Sequence, residues 1–204
     1  NSKLMSKFLD NNLYSLYKKI IIISHRKYNG NDDYEIIEFL NPKLIKTTLE
    51  KILLNKKYYF DLIVSNTPTQ NIDFKNEKTL EWGKVAIDIM NTSSINKLVR
   101  KLIYTGSCLP LLPIYHNSLY KKLKNSEMKN FVKLWLNNNQ KGTYIILPPL
   151  KYKNTKKLNL IFDYYEKWAL KLKEELSLNN SIVYPNGFVG IVTKVLFFIK
   201  FGKL

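Results

Sequence analysis

Apolar residues fall along this chain in two rhythms. Four short runs are continuously apolar and rich in β-branched residues: Ile20–Ile23, Phe60–Val64, Val85–Ile89 and Thr143–Leu147. Runs of this length, closed by turn residues, read as strands covered on both faces, as in a parallel sheet. Other stretches repeat at helical spacing. Lys43–Leu54 carries Leu44, Ile45, Leu49, Ile52 and Leu53 behind Asn41-Pro42, a good helix opening. Leu4–Tyr17, Ile114–Leu123 and Met128–Leu136 also read as helices, the last two joined by Lys124–Glu127. Leu158–Leu178 is the longest helical pattern. Tyr34–Leu40 fits either period, Leu102–Tyr104 reads as a short strand, and Phe188–Phe201 reads as one or two strands.

The stretch from Tyr58 to Thr92 organises the rest. Phe60–Val64 ends in Ser-Asn-Thr-Pro and Val85–Ile89 in Asn-Thr-Ser-Ser, with room for one helix between them. Strand, helix, strand in so short a span is the unit of a parallel α/β sheet. No glycine-rich phosphate loop follows either run. The expected fold is therefore α/β, a parallel sheet flanked by helices over residues 1–124, with a C-terminal α+β appendage over 125–204.

Charge changes this picture. The chain has 204 residues, with 33 Lys+Arg against 16 Asp+Glu and a net charge of +17. Such an excess asks for an anionic partner, nucleic acid first and an anionic membrane surface next. The basic residues are spread along the chain, which favours a folded body lying against a polyanion. At 45% hydrophobic residues the chain can build a core. Abundant Lys, Asn, Ile and Tyr with only 7 Gly carry the imprint of an AT-rich genome, as in an organelle, a parasite or an endosymbiont. The single cysteine, Cys108, excludes an internal disulfide and a multi-cysteine zinc site. No cleavable signal peptide is legible at the start of the sequence as given. No apolar run reaches the roughly 18 residues of a membrane span, so no membrane insertion is expected.

Candidate chemistry is sparse. His25-Arg26-Lys27 ends a buried run, where open α/β sheets place their ligands. It reads as a phosphate or RNA contact, or as a solvated strand end. His116 lies in another segment, and two unlinked histidines make no metal site. Asp61 and Asp88 sit on the two strands of the central unit; they could do acid–base work, but need not converge. Cys108 lacks the setting of an activated nucleophile and reads as a small buried thiol. Trp82, Trp135 and Trp168 read as core anchors. The pairs Lys18-Lys19, Arg100-Lys101 and Lys121-Lys122 join His25, Arg26 and Lys27 as candidate RNA contacts. No cofactor or metal is expected.

The order of these elements resembles the second protein of the small ribosomal subunit, in a divergent mitochondrial form. That family's strand I-L-F-V-G-T-K-R is similar to Ile21-Ile22-Ile23-Ser24-His25-Arg26, and its P-D-A-L-F-V to Phe60-Asp61-Leu62-Ile63-Val64. Its I-P-V-I-G-I-V-D-T-N is similar to Lys84–Thr92, and its glycine turn to Tyr104-Thr105-Gly106-Ser107. Lys84 stands in place of the proline, Met90 in place of the aspartate, and residues from about 125 onward match nothing in it. The resemblance implies a Rossmann-like sheet and no chemistry. It implies a structural constituent of a mitochondrial small ribosomal subunit in the organellar matrix. Its partners would be ribosomal RNA of the small subunit and neighbouring small-subunit proteins. The alternative is a peripheral accessory subunit of an organellar membrane protein complex, with Phe188–Phe201 packed on the membrane partner. An enzyme acting on nucleic acid is a third reading, with no clustered carboxylates to support it.

Overall fold

A computed structural model describes residues 17, 19–24, 35–38, 41, 43–54, 57–65, 77–108, 110–112, 119–137, 141–147, 181–185 and 187–202. Two parallel sheets stand among them. In the first, β1 (Ile21–Ser24) pairs with β2 (Glu35–Glu38), with Ile21 opposite Glu35. The second has four strands in chain order: β3 (Phe60–Ser65), β4 (Val99–Ser107), β5 (Lys141–Leu147) and β6 (Ser181–Val183). The chain is thus α/β, with a parallel sheet flanked by helices. Parallel neighbours need a crossover, and helices supply it. Helix α2 (Glu77–Ser94) joins β3 to β4, and α3 (Leu119–Phe131) lies between β4 and β5. Helix α1 (Leu44–Leu53) precedes β3, and α4 (Gly187–Phe201) follows β6.

The sheet takes two strands from either side of residue 124, and α3 runs across that point. β4 and β5 are the internal strands, and β4 is the longer. All its residues are buried except Arg100 and the half-buried Ser107. That is the continuous apolar reading of a parallel strand covered on both faces. Behind it Tyr104 stacks near Phe131, with ring centroids 6.2 Å apart, and tilts against Tyr144 at 5.3 Å. Gly106 is dictated by this packing, since a Cβ there would lie 2.0 Å from the Tyr144 hydroxyl oxygen. On α1, the face toward the core is Ile45, Leu49 and Leu53, four residues apart.

Several expected elements are present. Ile20–Ile23 becomes β1, Phe60–Val64 β3, Thr143–Leu147 β5 and Lys43–Leu54 α1. Tyr34–Leu40 resolves as strand through β2, and Leu102–Tyr104 extends to the nine residues of β4. Leu158–Leu178 and all of Leu4–Tyr17 except Tyr17 lie outside the described residues.

Three expectations are corrected. Val85–Ile89 is not a strand but the middle of α2. Its buried residues Val85, Ala86, Met90 and Ser93 recur one turn apart, so the run is apolar with a helical period that five residues are too few to reveal. Phe188–Phe201 is not one or two strands but α4, which buries Gly190, Thr193 and Phe197. β-branched residues are no obstacle where packing against a core supplies the stability. Lys124–Glu127 is not a joint between helices: α3 runs through it, because the two side chains lie one turn apart and bury an ion pair. Past Phe131 the helix widens into a π turn over Val132–Leu136, where Asn137 N donates to Val132 O at 3.0 Å.

Candidate functional site

In an open parallel sheet, loops that receive ligands cluster at the carboxyl ends of the strands, above all where strand order reverses. The larger sheet here runs in chain order without a reversal, and the carboxyl ends of β3 and β4 are neighbours within it. β3 opens a sheet that grows in one direction through β6, while β1 and β2 pair on their own. Ile23 of β1 packs against the same core that β3 and β4 build.

The two carboxyl ends are tied together. Thr105 Oγ1 donates to Val64 O at 3.2 Å, and Ser65 stands opposite Thr105 in the register. Ser107 ends β4 half-buried, so its hydroxyl sits at the rim. The chain then turns tightly, with Leu111 N donating to Cys108 O at 2.9 Å. Lys121, in the first turns of α3, donates to Leu112 O at 3.0 Å and fixes the helix to that turn. Below the rim lies a buried polar cluster. Lys124 Nζ donates to both Glu127 carboxylate oxygens at 2.8 Å, and Tyr104 donates to Glu127 Oε2. Lys124 and Glu127 are each 1% exposed. Burial pulls the Lys124 ammonium down and pushes the Glu127 carboxyl up, each opposed by its partner's charge.

The rim presents half-buried Ser107 at the end of β4. It offers no activated thiol: Cys108 is buried, and burial pushes it up to about 12. Cys108 should therefore resist a water-soluble disulfide reagent in the native protein and react stoichiometrically in denaturant. Fast reaction of the native chain would mean that the turn opens.

The sequence-derived candidates scatter. Lys18, His25, Arg26 and Lys27 lie outside the described residues, as does His116. Lys19 pairs with Glu35. Arg100 is exposed at the amino end of the sheet, bonded to Asp61 Oδ2 at 3.3 Å, with its guanidinium 5.8 Å from the Tyr59 ring centre. Lys101 is buried in β4. Lys121 holds the turn described above, and Lys122 is exposed on α3. Asp61 and Asp88 do not act as a pair. Asp61 accepts from the Tyr17 hydroxyl at 3.1 Å at the amino end of β3. Burial pushes the Tyr17 hydroxyl well up, and the neighbouring Asp61 charge adds to it. Asp88 lies on α2, raised by burial and lowered in part by Lys84 and Lys46. Trp135 is the core anchor expected of it. Among the described residues no group of three or more His, Cys, Asp or Glu gathers to hold a metal. Sequence reasoning missed the Lys124–Glu127–Tyr104 cluster and the Ser107 rim. The first had a signal, Lys and Glu three apart within a helical stretch; the second needed the sheet order.

No family model matches the chain, and no curated protein matches it in sequence. Solved structures do resemble it. A short-chain dehydrogenase from Streptomyces avermitilis aligns at TM-score 0.61 and 11% identity, over 97% of this chain and 89% of that one. A short chain dehydrogenase family protein from Francisella tularensis aligns at TM-score 0.52 and 16% identity, over 96% and 85%. The chain spans 49% of the length of the Bordetella bronchiseptica enzyme WbmG, at TM-score 0.48 and 11% identity over 70% of this chain. The shared feature is the parallel sheet with helical crossovers.

These likenesses overturn the expected role as a structural constituent of a mitochondrial small ribosomal subunit that binds ribosomal RNA. Two short-chain dehydrogenases share the fold, and among the described residues the strands beyond residue 125, β5 and β6, belong to the same sheet as β3 and β4. The stretch similar to a ribosomal-family strand, Lys84–Thr92, is helix α2. Basic composition and short apolar runs in a given order are compatible with many parallel α/β sheets, and that is why they misled. The likenesses lend the accessory-subunit alternative no support either.

Proposed function

We propose that the chain is a nucleotide-binding unit of the dehydrogenase type, which receives its ligand at the carboxyl ends of β3 and β4. The observation that carries this reading is the placement of the rim. The two strand ends are pinned side by side by Thr105, at the carboxyl edge of the sheet. Open parallel α/β sheets receive their ligands outside the carboxyl ends of their strands. Fold likeness to two short-chain dehydrogenases over 96% and 97% of the chain supports it.

A nicotinamide dinucleotide is the group such a fold implies. Its pyrophosphate wants a glycine-rich turn between a strand and the next helix. Among the described residues β3 ends in Ser65 and β4 in Ser107-Cys108, and neither end carries such a turn. The described rim does not fit a pyrophosphate cradle, so no hydride-transfer step is derived. What the rim does fit is hydrogen bonding to a nucleoside laid across the strand ends.

Thermal unfolding in the presence of NAD⁺, NADH, NADP⁺, NADPH, ADP and UDP tests this. At a concentration about a hundred times Kd, a bound nucleotide stabilises by about 2.7 kcal/mol. For a chain of this size that raises Tm by roughly 5–10 °C. Ser107→Trp, which fills the rim from a half-buried position, should abolish the shift while leaving the free protein folded. If no nucleotide moves Tm, the reading fails.

A further inference from the structure

Helix α4 is apolar on both sides. Gly190, Thr193 and Phe197 seat it on the core, where Phe197 meets the Tyr184 and Phe201 rings. The opposite side should be polar in a helix that ends at water. Instead Phe188 is 80% exposed, Ile191 65%, Val195 52%, Phe198 47% and Ile199 72%. These positions recur at three and four residues, so they form one continuous stripe along the helix. Scattered exposed apolar residues need no explanation, but a stripe this long on one element marks a contact surface.

Charge says what kind. From Ser181 to the last residue the sequence has no Asp or Glu, and both Lys194 and Lys200 lie within α4. Lys200 donates to Pro110 O at 3.2 Å and to Asn125 Oδ1. Burial first, then Lys129 and Lys121 on α3, hold its ammonium below the usual range. The apolar stripe thus lies on a helix whose only charges are positive, on a chain of net charge +17. A second copy is the poorer match. In a pairing of two α4 stripes, neither helix would offer an acidic partner to the lysines of the other. Both copies would also carry the same excess charge.

We propose that α4 lies flat on an anionic lipid surface, with Phe188, Ile191, Val195, Phe198 and Ile199 in the acyl boundary and exposed Lys194 at the headgroups. Its 15 residues make about 22 Å of helix, short of the roughly 30 Å hydrocarbon core. No helix among the described residues is long and apolar enough to cross a membrane. The surface is independent of the nucleotide reading, since α4 follows β6 at the far edge of the sheet from β3.

The test is co-sedimentation of the full chain with phosphatidylcholine vesicles, with and without phosphatidylserine. The key variant combines Ile191→Gln, Val195→Gln and Phe198→Gln. All three side chains are exposed, so the core and the net charge are untouched; circular dichroism and Tm confirm the fold. The expected result is binding to the mixed vesicles, weaker by about tenfold or more for the triple variant and for neutral vesicles. Equal binding by the triple variant overturns the proposal, since charge alone would then hold the chain. So does a dimer in light scattering that the triple variant dissolves without vesicle binding by the parent, because the stripe would then be a seam between copies.

Discussion

Replacing Lys124 by Met destabilises the fold by about 3–5 kcal/mol. At roughly 2–4 °C per kcal/mol, Tm falls by about 10 °C or more. The substitution keeps the length and apolar stem of the side chain, so little packing is lost. What is lost is the cation that holds Glu127, whose carboxylate is then buried with the Tyr104 hydroxyl. The variant also acquires a pH signature. Burial raises the Glu127 carboxyl even with Lys124 beside it, and without Lys124 the upward direction strengthens. A carboxyl raised in the folded state binds its proton more tightly there than in the unfolded chain. Its contribution is fully present below the unfolded value of about 4.3 and is lost as pH rises through the folded value. Lys124→Met should therefore gain stability relative to the parent on going from neutral pH toward pH 5. Adding Glu127→Met and Tyr104→Phe removes the stranded polar groups together and should recover most of the loss, because a buried pair replaced as a unit by apolar groups is often neutral. Urea unfolding of the three proteins at two pH values decides it. A single variant as stable as the parent at neutral pH would show that the pair is not buried in solution.

Gly190→Ala should cost about 3 kcal/mol, although alanine is the better helix former by about 1 kcal/mol. A Cβ at Gly190 would lie 1.7 Å from Pro185 O and 2.8 Å from Pro185 C. Those are backbone atoms of the turn that joins β6 to α4, and Pro185 is itself buried. Proline fixes its own φ, so the turn has little freedom to retreat. The helix must then lift, and Phe197 loses the ring contacts that seat it. Gly187→Ala is the control. That residue has φ of +69° with nothing within 4 Å of an added Cβ, so only the left-handed backbone strain of about 1–2 kcal/mol applies. Thermal unfolding should therefore rank parent, Gly187→Ala, Gly190→Ala from most to least stable. If Gly190→Ala matches the parent, α4 does not rest on Pro185 as described.

The sequence by itself determined the class and several elements of this protein. Short apolar runs between turn residues placed β1, β3 and β5 and pointed to a parallel sheet, because strands of such a sheet carry little alternation of polar and apolar residues. Helix α1 was legible for a similar reason: its apolar residues sit on one face and its other face is polar. Only the tertiary structure decided the rest. Val85–Ile89 and Phe188–Phe201 are apolar without a readable period, and neighbours at the core settled them as helix. Lys124 and Lys101 are two lysines among many in the sequence, and burial alone sets them apart from the solvated ones. The rim at Ser107 exists because β3, β4 and β5 stand in chain order, a pairing between residues about 40 apart that no local pattern records. The ribosomal role failed at the same point. It rested on short motifs in sequence order, whereas function in a parallel α/β sheet is set by which strand ends meet in space.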